Sequence, residues 1–137
     1  MDWITEEIAI GNYLESQDEA LVAHHGFKSV LSLDGSMLKL EPSCSPFSEV
    51  RAYSLIDGPG NDPDLFLRIL KTLSILVRDP SPVLVHCHAG RSRSVVVVAA
   101  FLMRRGGLDA SAALDQVRAK REVALTSGIE GLLTYVG

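Results

Sequence analysis

Residues 83–103 read VLVHCHAGRSRSVVVVAAFLM, and this stretch decides the fold. It begins with a short apolar run over residues 83–85, which follows a proline and is typical of a buried strand. The apolar residues 95–103 include four consecutive valines, which favour a strand by propensity alone. They end, however, at two arginines and a glycine over residues 104–106, the pattern of a helix terminus. Because an element that is apolar on all sides is a buried helix, we predict a helix over residues 93–105.

The rest of the chain alternates between strand and helix signals. Two more strands are predicted over residues 29–33 and 50–56, and two turn-rich loops over residues 41–46 and 57–63. Four capping patterns predict further helix starts: Ser16 with Glu19, Asp62 before Pro63, Asp109 before Ala110, and Ser127 with Glu130. The second and third of these helices should reach about residues 77 and 121. We therefore predict an α/β fold of three layers, with a central, mostly parallel mixed sheet of four to five strands flanked by helices.

Length and composition predict one soluble domain over residues 1–137. Of these residues 47% are hydrophobic, enough for a single sizeable core. The 13 basic and 17 acidic side chains give a net charge of -4, which argues against a nucleic-acid partner. No apolar run approaches the ~18 residues of a membrane span, and the acidic N-terminus is unlike a secretory signal. Because Cys44 and Cys87 are the two cysteines, we expect a reducing, cytoplasmic location, and we expect a monomer.

The segment between the predicted strand and helix carries the candidate chemistry. A turn from a strand into a helix points several backbone N–H groups at one spot, with the helix dipole behind them, and such a nest binds an oxyanion. Arg93 lies beyond Cys87 with five residues between them, and its planar guanidinium can hold two phosphate oxygens. The same positive field should keep Cys87 as a thiolate near neutral pH. The sequence therefore predicts a thiolate nucleophile that faces a bound phosphate.

Residues 86–94, His-Cys-His-Ala-Gly-Arg-Ser-Arg-Ser, resemble the signature loop of the protein tyrosine phosphatase superfamily, His-Cys-x5-Arg-Ser. The short chain is similar to the dual-specificity branch of that superfamily over residues 4–133. Residues 8–14 resemble the opening strand and turn of the branch, 26–33 its next strand, and 114–122 its penultimate helix. The resemblance implies hydrolysis of phosphomonoesters, both phosphotyrosine and phosphoserine or phosphothreonine in proteins, through a phosphocysteine intermediate. It implies no cofactor and no metal.

The resemblance also assigns roles within the loop. Cys87 is the nucleophile, Arg93 binds the phosphate, and the hydroxyl of Ser94 steadies the departing thiolate. The other substrate contacts are expected from the variable loop positions, which are His88, Ala89, Gly90, Arg91 and Ser92. His86 is a supporting residue, either as a core imidazole that orients the loop or as a group that tunes Cys87.

Loss of an alkoxide or phenoxide from phosphate needs a proton donor, and three aspartates are candidates. Asp62 and Asp64 have structural work at the start of the predicted helix, as its cap and its first-turn acid. Asp57 has no such work, because it follows a predicted strand and opens a turn-rich loop. It also lies where the dual-specificity branch keeps its acid. We predict Asp57 as the general acid, and Asp62 is the alternative.

The basic residues His88 and Arg91 leave the substrate open. They resemble the phosphoinositide-directed branch of the superfamily, so a phosphoinositide or another small polyanionic phosphate is an alternative substrate. A non-catalytic phosphate-binding module is a further alternative.

One feature departs from the dual-specificity pattern. The branch usually places Pro-Asn shortly after an Arg-Glu pair, but here residues 121–127 read REVALTS, without an asparagine. Either Thr126 takes over the ordering of the phosphate loop, or that contact is lost.

Overall fold

Five strands form one sheet in the computed structural model, which describes residues 1–41 and 45–136. In chain order they are β1 (Asp2–Trp3), β2 (Ile8–Gly11), β3 (Ser29–Ser32), β4 (Glu49–Ala52) and β5 (Val83–His86). Their order across the sheet is β1-β2-β5-β3-β4, with β1 antiparallel to β2 and the other neighbours parallel. The predicted mostly parallel mixed sheet is confirmed. Cys44 and part of the predicted loop at residues 41–46 lie outside the described residues.

Helices cover both faces of this sheet. They are α1 (Tyr13–Ser16), α2 (Glu19–His25), α3 (Pro63–Arg78), α4 (Arg93–Gly106), α5 (Ala110–Arg118) and a 3-10 helix (Ile129–Tyr135). On one face Val22 of α2 belongs to a cluster with Val30 and Leu84 of the sheet. On the other face α3, α4, α5 and the 3-10 helix pack against sheet residues that include Leu31 and Val85. Because neighbouring strand residues point to opposite faces, these two clusters confirm the three predicted layers.

Helix α4 runs through the four valines, as predicted. All side chains of residues 94–102 are buried, so this part of the helix contacts protein on every side. Such packing outweighs the strand propensity of four β-branched residues in succession. The helix ends at Gly106, and Gly107 follows in the left-handed conformation with φ 64°.

Two of the four predicted capping patterns are wrong. Ser16 is the last residue of α1, and its hydroxyl donates to the carbonyl of Tyr13 at 2.6 Å, so Asp18 caps α2 instead. Before the 3-10 helix the chain turns at Gly128 with φ 94°, a conformation that residues with a Cβ rarely adopt. Gly128 therefore occupies the N-cap position instead of Ser127, and no described side chain caps this helix.

The other two capping patterns are confirmed, since Asp62 caps α3 and Asp109 caps α5. The predicted strand over residues 29–33 extends one residue beyond β3, and two other predicted elements extend several residues beyond the observed ones. β4 ends at Ala52, before the predicted end at residue 56, and α5 ends at Arg118, before residue 121. Both shortened ends leave the chain irregular where it approaches the loop after β5.

The parallel strands β2, β3, β4 and β5 end at one edge of the sheet. The segments that follow them carry Tyr13, Asp34, Asp57 and Cys87, in that order. Ligands of open parallel sheets bind in the crevice beyond the carboxyl ends of the strands. The candidate site therefore lies at this edge. No helix in the described part of the chain has the length and apolarity needed to cross a membrane.

Candidate active site

Cys87 begins the loop that joins the centre of the sheet to α4. It directly follows β5, and only 2% of its surface is exposed. Other segments donate hydrogen bonds to three carbonyl groups of the loop: Tyr13 N to His88 O at 2.9 Å, Arg121 Nε to Gly90 O at 2.6 Å, and Ala124 N to Arg91 O at 3.0 Å. These bonds fix the shape of the loop and occupy its carbonyl groups rather than its N–H groups.

The N–H groups of residues 88–93 are available to a ligand, since none of them donates a hydrogen bond to another described residue. Ser92 is the N-cap of α4 and makes no side-chain capping bond there. Several N–H groups without partners at a helix N-terminus form a nest for an oxyanion. Gly90 allows this shape, because its φ is 70° and a Cβ there would lie 2.5 Å from the carbonyl oxygen of Gly11.

Arg93 is the first residue of α4 and retains hydrogen-bonding capacity. Its Nη1 donates to the carbonyl of Leu55 at 3.2 Å, whereas its buried Nε has no partner among the described residues. A guanidinium that is held at one corner and unpaired elsewhere suits a two-point contact with phosphate oxygens. The Oγ of Ser94 is also buried and also lacks a partner in the described part of the chain.

A cavity of about 260 Å³ brings together most of the predicted site residues. Its lining consists of Asp57, Cys87, His88, Ala89, Arg91, Ser92 and Arg93, together with Ala124 and Thr126. The predicted residues Gly90, Ser94 and His86 are buried and do not belong to this lining. His86 directly precedes Cys87, and Ser94 directly follows Arg93, but neither reaches the cavity surface.

The three candidate acids separate clearly in the structure. Asp57 lines the cavity, and its residue is exposed to solvent. Asp62 and Asp64 lie outside the cavity lining, and the carboxylate of Asp62 accepts a hydrogen bond from the backbone of Asp64 at 3.0 Å. Asp62 thus has the capping work that the sequence predicts for it.

His86 is completely buried beneath the loop. Its Nδ1 lies 3.2 Å from the carbonyl oxygen of Cys87 and 3.9 Å from a carboxylate oxygen of Asp34. Burial lowers the pKa of His86, against the opposing effects of the Cys87 carbonyl and of Asp34. Burial would raise the pKa of Asp34, but hydrogen bonds from Ser36 and the nearby charges of His86 and Arg93 outweigh it and lower that pKa.

The lowered pKa of His86 has a consequence for stability. Between its ordinary pKa of 6.5 and the lower value in the folded protein, the unfolded chain binds a proton that the folded chain does not. We therefore expect the free energy of unfolding to fall as the pH drops below 6.5, and we expect this fall to be smaller in His86→Gln. Urea unfolding of both proteins between pH 7.5 and pH 5 measures the difference. Equal slopes in the two proteins would contradict the expectation.

Thr126 does contact the loop, but through its backbone. Its N–H donates to the Oγ of Ser92 at 3.0 Å, two residues after Ala124 holds the carbonyl of Arg91. Two backbone amides of residues 124–126 thus tie the loop where the dual-specificity branch uses an asparagine. The sequence pointed to Thr126 as a residue that orders the phosphate loop. It did not show that the backbone N–H of Thr126, rather than its side chain, makes the contact.

Three contributors were missed by the sequence analysis. Arg121 is 9% exposed and reaches the carbonyl of Gly90, and Asp34 lies under the loop beside His86. Asn61 bonds to the backbone on both sides of Asp57. The signal for Asp34 was its place directly after a predicted strand, and the signal for Arg121 was its place in the Arg-Glu pair of the family pattern, whereas Asn61 had no signal in the sequence.

Comparisons with known proteins agree with this geometry. The family described as "Dual specificity phosphatase, catalytic domain" matches residues 10–133. "Dual specificity protein phosphatase 1" of Arabidopsis thaliana is 25% identical over 122 residues, which are 88% of this chain and 60% of that protein. "Dual specificity protein phosphatase 12" of Mus musculus is 51% identical over 111 residues, which are 77% of this chain and 32% of that protein. The chain thus spans less than two thirds of the length of either relative.

A solved structure shares the fold over nearly the whole chain. The crystal structure of Tk-PTP in the active form is 27% identical in sequence and matches with a TM-score of 0.81. The match covers 98% of this chain and 93% of that one.

Proposed function

Because this chain belongs to the family of dual specificity phosphatase catalytic domains, we propose that it hydrolyses phosphotyrosine, phosphoserine and phosphothreonine in proteins through a phosphocysteine intermediate. One observation carries the proposal: a single cavity of about 260 Å³ is lined by Cys87, Arg93 and Asp57. These side chains supply a nucleophile, a clamp for oxyanions and a proton donor.

In the first step the thiolate of Cys87 attacks phosphorus. The P–S bond forms while the P–O bond to the leaving oxygen breaks, and that oxygen takes the proton of Asp57. The guanidinium of Arg93 and the N–H groups of residues 88–93 hold the three non-bridging oxygens. Donors already in place when charge develops give the largest single contribution in many enzymes.

In the second step water attacks the phosphocysteine. Asp57, now a carboxylate, accepts a proton from the water, and the P–S bond breaks to release phosphate and the Cys87 thiolate. The hydroxyl of Ser94 donates a hydrogen bond to that thiolate. Its buried Oγ, which has no partner among the described residues, supports this role.

The rim of the cavity favours one further substrate class. His88 and Arg91 are both exposed at the rim, and their potential positive charge suits a phosphoinositide or another polyanionic phosphate. Glu122 lies 3.7 Å from Arg91, however, and offsets part of its charge. The chain also carries a net charge of -4. We therefore place phosphoproteins first and polyanionic small phosphates second.

The test of the activity is turnover of p-nitrophenyl phosphate with EDTA present. We expect release of nitrophenol that needs no metal, and we expect vanadate to inhibit it in a parallel assay without EDTA, since EDTA binds vanadate. Phosphopeptides carrying phosphotyrosine, phosphoserine or phosphothreonine, compared with soluble phosphoinositides by phosphate release, then rank the two substrate classes. Binding of phosphate without any release would show a phosphate-binding module instead of an enzyme.

Removing the proposed acid is expected to slow the reaction strongly. Asp57→Asn should lower kcat for p-nitrophenyl phosphate by roughly 10²–10⁴-fold, because the amide can neither donate the proton nor accept one from water. Steady-state kinetics of Asp57→Asn and Asp62→Asn at the same pH compares the two candidates. Since asparagine caps a helix as well as aspartate does, Asp62→Asn should keep the cap of α3 and most of kcat. The opposite result would make Asp62 the acid.

A further inference from the structure

The side chain of Asn61 brackets Asp57, the acid of the proposed function. Its Oδ1 accepts from the N–H of Ile56 at 2.8 Å, and its Nδ2 donates to the carbonyl of Ile56 at 2.8 Å and to that of Gly58 at 3.3 Å. We propose that Asn61 is a positioning residue, which fixes the backbone on both sides of Asp57 and so holds its carboxyl group at the cavity. This inference rests on the proposed role of Asp57.

The carboxyl group of Asp57 needs such help because no described residue bonds to it directly. The residue is exposed, and none of the described hydrogen bonds involves its carboxylate. Its position is therefore set by the backbone from which it extends. That backbone passes through Gly58 with φ 152° and Gly60 with φ 96°. Glycines lose more conformational freedom on ordering than other residues, so this loop costs more to keep in one shape.

Contacts outside the loop fix its two ends but not its centre. Before Asp57, the N–H of Leu55 donates to Leu33 O at 2.9 Å, and its carbonyl accepts from Arg93. After Asp57, the ring of Pro59 packs closely on Gly128, where an added Cβ would lie 2.9 Å from it. The residues adjacent to Asp57 itself, at positions 56 and 58, are held by Asn61.

The two bonds to Ile56 have the geometry of a pair in a sheet. One side-chain amide satisfies both the N–H and the C=O of the same peptide residue, which restrains its rotation in two places at once. Because β4 ends at Ala52, no strand in the described part of the chain does this for Ile56. Asn61 thus holds the backbone next to Asp57 in the way that a neighbouring strand would hold it.

The test is the dependence of kcat/KM on the leaving group. Phenyl phosphate expels a weakly acidic phenol and needs the proton of Asp57, whereas 2,4-dinitrophenyl phosphate expels a strongly acidic phenol and does not. We expect Asn61→Ala to lower kcat/KM for phenyl phosphate about tenfold and for dinitrophenyl phosphate less than about twofold. Asn61→Asp turns a carboxylate oxygen, which can only accept, toward the carbonyl groups of Ile56 and Gly58, so it should show the same selectivity as Asn61→Ala.

The controls separate this inference from the function on which it rests. Asp57→Asn should show the same selectivity for the leaving group, and more strongly. An equal loss of kcat/KM for both substrates in that variant would overturn the assignment of the acid. The positioning role alone would be overturned if Asp57→Asn loses kcat/KM selectively for phenyl phosphate while Asn61→Ala loses it equally for both substrates or for neither. Asp18→Ala is the matched control, because it also removes a hydrogen bond between a side chain and the backbone, at the cap of α2 and away from the cavity. It should leave kcat/KM unchanged for both substrates.

Discussion

Replacing Cys87 with serine is expected to lower kcat on the order of 10⁶-fold, as removal of a catalytic nucleophile does. A hydroxyl stays protonated near neutral pH and attacks phosphorus far more slowly than a thiolate. The exchange alters one atom of a residue that is 2% exposed, and it leaves the hydrogen bonds that shape the loop in place. The variant should therefore still bind oxyanions.

Two measurements check this expectation. Stopped assays with p-nitrophenyl phosphate give the residual kcat, and isothermal titration with tungstate gives the affinity for an oxyanion in both proteins. We expect no measurable turnover and a dissociation constant within about threefold of the unaltered protein. Cys44→Ser makes the same exchange at the other cysteine and controls for the loss of a thiol. Retained turnover in Cys87→Ser would refute the phosphocysteine mechanism.

Arg93→Lys is expected to fail although it keeps the positive charge. The arginine donates to the carbonyl of Leu55 and still has a buried Nε without a partner among the described residues. An ammonium carries its three donors on one atom, so it cannot reproduce the planar fork by which the guanidinium reaches the Leu55 carbonyl and two phosphate oxygens. We expect kcat/KM to fall by roughly 10²–10³-fold, the usual loss when one donor to a developing oxyanion is removed.

The comparison for this variant is Arg105→Lys, the same exchange in the last turn of α4. Arg105 pairs with Glu7 at the surface at 3.3 Å, and surface pairs contribute little. Steady-state kinetics should show normal kcat/KM for Arg105→Lys and a large loss for Arg93→Lys, together with weaker inhibition by vanadate. If Arg93→Lys keeps kcat/KM within about threefold, charge rather than geometry binds the phosphate.

The sequence predicted the features that rest on local chemistry. The sheet class, α4 and the caps at Asp62 and Asp109 follow from residues that are close together in the chain. The cavity residues at positions 87–93 follow from one continuous loop. Asp57 could be chosen over Asp62 because the latter had a visible structural role as a cap.

Contacts between distant segments could not be predicted in the same way. Arg121 bonds to carbonyl groups that are 31 and 111 residues away along the chain, so no window of sequence contains both partners. The bonds of Asn61 span only five residues, yet they depend on a loop shape set by two glycines with positive φ. Ser16 does not cap α2 because it is the last residue of α1. The spacing of Ser16 and Glu19 is the same whether Ser16 ends one helix or begins the next, so the sequence could not separate the two.

The contacts of Arg121 make the edge strand β1 part of the scaffold of the proposed active site. The guanidinium that holds the carbonyl of Gly90 is itself held by the carboxylate of Asp2 at 2.9 Å. β1 has two residues and one neighbour, so it is the element of the sheet most prone to fraying on warming. Detachment of those two residues would leave the guanidinium bonded only to the carbonyls of Ile10 and Gly90, and this would loosen the oxyanion nest. Heat would then abolish the proposed activity before it melts the core.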